Sequence, residues 1–235
     1  MVALYLIRHG QASFDADDYD RLSAVGLDQA RVVGRALAAR LPRVDAAVAG
    51  TLTRQRDTGA TCLDAMGVRG AIPFTVDADL DEYDAADLIG RHRPDLADAA
   101  TLRAELAATP DPRRAYQALF ADAVARWMSG RYDHEYAEAW PVFRRRCLAA
   151  MTRAAVLGGT VLVFTSGGPI MAAVQAVVGL NGAPARQVHW GLVNGGVTKL
   201  LVPSKAAGRM GPDWSLASLN EHALLEAQPG LLTYR

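Results

Sequence analysis

The chain has 235 residues, 51% of them apolar and 21% charged, with Lys+Arg and Asp+Glu balanced at 25 each. That is the composition of a globular protein long enough to bury a full core. With no net charge and no long run of one sign, it lacks the electrostatic footprint of a nucleic-acid or anionic-membrane binder, so any cationic site must be local. Cys62 and Cys147 lie far apart without CxxC or Cys/His spacing, which argues against a disulfide framework or structural zinc.

Val2 to Ile7 is a continuous apolar run, the pattern of a strand covered on both faces, and it stops abruptly at Arg8-His9-Gly10. Arg8 interrupts it too early for a secretory leader. A loop rich in aspartate (Asp15, Asp17, Asp18, Asp20) follows. Ser23 can then cap a helix whose apolar positions Val25, Ala30, Val33, Leu37 and Leu41 recur at helical spacing until Pro42. Val44 to Ala49 reads as a second strand, and Thr51 or Thr53 as the cap of a helix that stops before Gly67. Phe74 to Val76 gives a third strand, leading into Leu80-Asp81-Glu82.

From about 84 to 135 the composition shifts to Ala, Arg, Asp and Leu broken by Pro94, Pro110 and Pro112, which predicts a helical cap set on the sheet. Trp140 to Leu157 is a strong helix with Phe143, Cys147, Met151 and Ala154 on one stripe. Thr160 to Thr165 is another apolar strand, followed by Gly167-Gly168 and a helix expected to begin at Pro169, where a missing N–H costs nothing. The longest uninterrupted apolar run, Ala154 to Phe164, is too short to cross a bilayer. Val188 to Val202 and Ser215 to Leu219 read as two further strands.

Strands alternating with helices predict an α/β three-layer sandwich: a mostly parallel, doubly wound sheet with helices on both faces, in one domain of residues 1–235 carrying the cap as an insertion. Ligands in such folds sit beyond the carboxyl ends of the strands, and Arg8-His9, Thr51 to Arg54, Glu82 and Thr165 to Gly168 all fall there.

Two guanidiniums at that edge, Arg8 and Arg54, offer rigid forks of donors that match phosphate oxygens. Their field disfavours imidazolium and pushes His9 toward its neutral, nucleophilic form. A hydrogen bond to the backbone at Gly10 would aim the other ring nitrogen, and Gly10 would allow close approach of the ligand. Glu82 could protonate a departing oxygen; its neighbour Asp81 should point elsewhere.

These residues resemble the histidine phosphatase superfamily, which includes the cofactor-dependent phosphoglycerate mutases. The matching segments are LIRHGQ at 6–11, LSAVGLDQA at 22–30, TLTRQRDT at 51–58, LDE at 80–82, WPVFRRR at 140–146, LVFTSGG at 162–168 and LVNGGVTKL at 192–200. The resemblance implies a ping-pong reaction through a phosphohistidine. His9 looks like the phosphate-accepting nucleophile, Arg8 and Arg54 like phosphate clamps, Glu82 like the proton donor, and Gly10, Gln11, Ser166 and Gly167 like substrate contacts. It implies no cofactor and no metal, because the arginines supply the charge stabilisation a metal would otherwise give.

Three positions depart from the family pattern. Ser166 stands where a second histidine is usual; a serine can hydrogen-bond a phosphate oxygen, and the Gly167-Gly168 amides can form an anion nest, but it carries no charge. Asp15 falls where a phosphate-contacting asparagine is common, and Asp57 where glutamine is. His134 and His189 are the candidates to replace the missing imidazole.

The expectation is therefore a cytoplasmic, metal-independent phosphomonoester hydrolase acting on a phosphorylated small molecule, with no nucleic-acid or membrane partner. The alternative is a weak or inactive relative that binds a phosphorylated metabolite or a protein; a phosphoglycerate mutase ranks third. Arg91, His92, Arg93, Arg113 and Arg114 of the cap could recognise a second anionic group. Substrate identity and oligomeric state, a homodimer included, stay open.

Overall fold

A computed structural model describes residues 1–13, 20–211 and 213–234; the expected departure at Asp15 lies outside them. Six strands, β1 (Val2–Arg8), β2 (Ala46–Ala49), β3 (Phe74–Val76), β4 (Thr160–Thr165), β5 (Val197–Val202) and β6 (Ser215–Glu221), form one sheet in the order β3-β2-β4-β1-β5-β6. The pairs β3–β2, β2–β4 and β4–β1 are parallel, whereas β5 and β6 add antiparallel strands at one edge. From β1 the chain winds toward β2 and β3; from β4 it continues to β5 and β6 on the other side. The carboxyl ends of β1 and β4 therefore border the point where the winding reverses, the usual place for a ligand in a doubly wound sheet.

The unbroken apolar runs in β1 and β4 have their reason in two cores. Val2, Leu4, Leu6, Val161 and Val163 face α6 (Trp140–Ala155) and α7 (Gly167–Val178), while Tyr5, Ile7, Leu162 and Phe164 face α1 (Ala24–Arg40) and α2 (Thr53–Met66). Alternate residues thus bury on opposite faces, which a two-residue side-chain period demands of a sheet covered on both sides. Truncating a fully buried side chain such as Leu4 or Leu6 to alanine removes about 2–5 kcal/mol.

The segment between β3 and α6 supplies α3 (Ala85–His92), α4 (Ala99–Ala107) and α5 (Pro112–Met128). Their third core gathers Leu88, Ile89, Phe120, Val124 and Trp127 against Trp140, Phe143 and Met171. Tyr83 is at its centre, with ring centroids 5.0 Å from Trp127 and 5.5 Å from Phe143. The cap therefore rests on the helices that follow the acid segment 80–82.

Three local expectations are corrected. Helix α7 begins at Gly167, not Pro169, so both glycines supply amides of its first turn. Val188 is not strand: Ala183–Gly191 is a helix, α8, started by Pro184 and burying Ala185 and His189 one turn apart, and β5 begins only at Val197, after a turn at Gly195 with φ 74°. Neither Thr51 nor Thr53 caps α2. Leu52 is its N-cap residue without a side-chain bond, and the Thr53 amide instead donates to Asp20 Oδ2 at 2.6 Å. Gly10 is also required by the packing of the protein itself: a Cβ there would meet the carbonyl oxygen of Gly26 in α1 at 2.4 Å. Ser23 caps α1 as expected, accepting from Gly26 N.

Candidate active site

Register fixes the core of the site. Arg8 pairs with Thr165 across β1 and β4, and the His9 amide donates to the Thr165 carbonyl at 2.9 Å, so His9 and Ser166 emerge side by side from adjacent strand tips. Both are buried. His9 Nδ1 lies 2.7 Å from the Gly10 carbonyl oxygen, which can only accept; that nitrogen carries the proton. The Gly10 amide in turn donates to Thr58 Oγ1 at 3.0 Å, and Thr58 donates to the Arg54 carbonyl at 2.6 Å. From the other side the Asn194 side-chain amide donates to the His9 carbonyl at 3.3 Å. His9 is clamped through its backbone and one ring nitrogen, and Nε2 is turned toward the Arg54 guanidinium, whose Nε donates to it at 3.2 Å.

Arg54 is held as well, its Nη1 2.6 Å from Asp20 Oδ1. Asp20 thus grips Arg54 and the first amide of α2 together. This carboxylate offsets part of the positive field expected from the two arginines. Arg8 is almost fully buried and donates through Nη1 to the Leu192 carbonyl.

The two adjacent carboxylates diverge. Asp81 accepts from the Thr51 amide at 2.6 Å and from the Thr51 hydroxyl. Glu82 turns the other way: both of its oxygens lie 3.1 Å from the Gly168 amide at the N-terminus of α7. A carboxylate there gains about 0.3–1 kcal/mol from the unpaired amides and the helix dipole. Gly168 makes this possible, since a Cβ would fall 2.1 Å from Glu82 Oε1. Arg146 steadies the segment by donating to the carbonyls of Asp79 and Asp81 at 3.0 and 2.8 Å while paired with Glu138.

Ser166 Oγ accepts from Gln55 Nε2 at 2.8 Å. Gly167 opens α7 beside it. Gln11 faces α1: its side-chain oxygen accepts from the Ser23 hydroxyl at 2.9 Å, and its amide donates to Gln29. Of the two histidines considered as replacements, His189 is buried with Nε2 2.9 Å from the Tyr83 hydroxyl, and His134 is exposed on a short 3-10 turn at Asp133–Glu135. Neither side chain has a described bond to His9 or Ser166. Asp57 is exposed. In the cap, Arg91 pairs with Asp87 and Arg93 with Asp95 on the surface, and Arg113 and Arg114 are exposed. Among the described residues no group of three or more His, Cys, Asp or Glu side chains is arranged to hold a metal ion, and no helix is long and apolar enough to cross a membrane.

Residues 4–207 match the family model of the histidine phosphatase superfamily, branch 1. The chain belongs to that superfamily. A curated relative, the 2,3-bisphosphoglycerate-dependent phosphoglycerate mutase of Methylobacterium sp. (strain 4-46), is 34% identical over 98 residues, which are 39% of this chain and 47% of that protein. The chain spans about half the length of that relative. Among solved structures, a mycobacterial glucosyl-3-phosphoglycerate phosphatase superposes with a TM-score of 0.63 at 19% identity, covering 94% of this chain and 99% of its own. Phosphoglycerate mutase from Bacillus anthracis gives 0.61 at 18%, covering 95% and 94%. A putative alpha-ribazole-5'-P phosphatase from Escherichia coli gives 0.61 at 20%, covering 94% and 96%. These three establish the shared fold.

In this histidine phosphatase superfamily member, sequence reasoning missed three residues that hold the site. Asp20 looked like one more loop aspartate, because nothing local marks a carboxylate that reaches 34 residues along the chain. Gln55 lay within the matched segment TLTRQRDT without a role of its own, yet it is wholly buried. Asn194 lay within the matched segment LVNGGVTKL, a signal that went unused.

Proposed function

We propose that the protein is a phosphomonoester hydrolase working through phospho-His9. The observation that carries this reading is the state of the imidazole: Nδ1–H is committed to the Gly10 carbonyl, and the lone pair of Nε2 is turned toward a guanidinium suited to phosphate. In the first half-reaction Nε2 attacks phosphorus and the ester P–O bond breaks, while Arg8 and Arg54 stabilise the charge on the equatorial oxygens. Glu82, entering as the carboxylic acid, gives its proton to the leaving alkoxide. In the second, the Glu82 carboxylate takes a proton from water as that water attacks phosphorus; the N–P bond breaks, inorganic phosphate departs and neutral His9 is restored. Ser166 and the Gly167 amide stand as neutral donors to the phosphoryl oxygens, the Gly168 amide being taken by Glu82.

The test is hydrolysis of an aryl phosphate, followed by an acid quench with ³²P-labelled substrate. Turnover with an acid-labile, base-stable label, both lost in His9→Ala, is the expected result; full activity in His9→Ala would remove the mechanism. A second reading, a phosphate-binding protein without useful turnover, is favoured by the uncharged Ser166 beside His9. Calorimetric binding of inorganic phosphate without hydrolysis would establish it. The mutase reading rests on a relative matched over 39% of the chain and is tested by incubation with 3-phosphoglycerate.

A further inference from the structure

Gln55 is wholly buried beneath the strand tips, and its amide oxygen has no hydrogen-bond partner among the described residues. The backbone is shaped to admit it: a Cβ on Gly50 would come within 1.9 Å of that oxygen. A buried amide with an unsatisfied acceptor costs stability, so its two N–H groups are the part worth following. One donates to Ser166 Oγ at 2.8 Å and the other to the Leu80 carbonyl at 3.2 Å. The Leu80 carbonyl also accepts from Thr165 Oγ1 at 2.6 Å. An oxygen that can only accept requires the NH₂ end of the amide on its side, which fixes the orientation of Gln55.

This orientation decides what Ser166 can do. Because Oγ is an acceptor from Gln55, its own proton must point away from Gln55. Among the described residues nothing accepts that proton, and Ser166, although the N-cap residue of α7, makes no side-chain bond to the helix. Ser166 follows Thr165, whose carbonyl accepts from the His9 amide, so the two residues lie side by side at the tips of β1 and β4. We propose that Gln55 is a positioning residue that holds the Ser166 hydroxyl as a hydrogen-bond donor to the phosphoryl group carried by His9. The proposal rests on the phosphoryl-transfer reading of the site. The same packing makes Ser166 and Gln55 a matched pair, since Gln55 occupies the space that a larger side chain at 166 would need.

A double-mutant cycle of Gln55→Met and Ser166→Ala tests it, read by calorimetric binding of orthovanadate and by kcat and KM on an aryl phosphate. Thermal melts verify that each variant is folded. Each single change is expected to weaken orthovanadate binding about tenfold, and the double change about tenfold again in total rather than a hundredfold, because both remove one donor. kcat falls in parallel with KM little changed. Gln55→Glu, nearly the same shape but offering the hydroxyl an acceptor and adding a negative charge, is expected to weaken binding at least as much. Independent, multiplying losses, or a Gln55→Met protein that binds orthovanadate like wild type, would overturn the proposal. If wild type binds orthovanadate but hydrolyses nothing, the hydrolase reading fails while the cycle still decides the role of Gln55. If wild type does not bind orthovanadate, both fall.

Discussion

Gly168→Ala isolates the acid from the rest of the site. The new Cβ would fall 2.1 Å from Glu82 Oε1 and 2.9 Å from both Phe143 Cζ and Tyr83 Cδ1. The two rings are locked in the cap core, where Tyr83 also packs on Trp127, so the carboxylate, the free end of a flexible side chain, is what yields. Losing its place at the α7 N-terminus costs about 0.3–1 kcal/mol, and crowding the rings about 1–3 kcal/mol, together about 1–4 kcal/mol of stability. The chemical effect is larger and selective. A general acid contributes about 10²–10⁴-fold when the leaving oxygen is basic and little when it leaves readily as a phenolate. Steady-state kinetics on an alkyl phosphate and a nitrophenyl phosphate, with Glu82→Gln as reference, should show about a 10²-fold or greater loss on the alkyl ester and a loss under about tenfold on the aryl ester for both variants. A folded Gly168→Ala enzyme with full activity on the alkyl ester, or one losing both activities equally, would refute the assignment of Glu82 and the role of the glycine beneath it.

Three further outcomes are expected. Ser166→His alone should not raise activity, because the Gln55 amide lies 2.8 Å from Oγ, whereas pairing it with Gln55→Ala makes room for the ring; a gain from the single change in the aryl phosphate assay would contradict this packing. Asp45 is held below the ordinary carboxylate range first by the Thr160 amide and further by Arg43 and the Gly159 amide, against a smaller opposing effect of burial. A depressed carboxyl contributes stability above its unfolded pKa and loses it as pH falls through the folded value, so Asp45→Ala should lower the melting temperature more at pH 7 than at pH 3; equal shifts at both would refute the linkage. Burial raises the Cys62 thiol to about 12 and raises Cys147 as well, so neither should react with a thiol reagent at pH 8 until the protein is unfolded; rapid native labelling would count against this core.

Much of this could be read along the chain because the signals are local. A continuous apolar run marks a strand covered on both faces, and Arg8-His9-Gly10 at its end sets a cation and an imidazole at the edge of the sheet where ligands bind in such folds. The divergence of Asp81 and Glu82 follows from successive residues pointing in different directions. The order of strands and helices was enough for the fold class and for the edge of the sheet where the candidate residues gather. Where local signals competed, reading failed: the apolar Val188 to Val202 run concealed a helix whose evidence was Pro184 and the one-turn spacing of Ala185 and His189.

Only the tertiary structure decided what each polar group at that edge touches. Asp20 reaches Arg54, Gln55 reaches Ser166 across 111 residues, and Gly10 admits Gly26 rather than only a ligand. Arg91 and Arg93 of the cap turned to neighbouring aspartates for a similar reason, since exposed charges settle with whatever partner lies nearest. Periodicity records which face of an element is buried. A hydrogen bond depends on distances and directions between elements remote in sequence, and those exist only once the sheet has set its register, with Arg8 opposite Thr165 bringing His9 and Ser166 together.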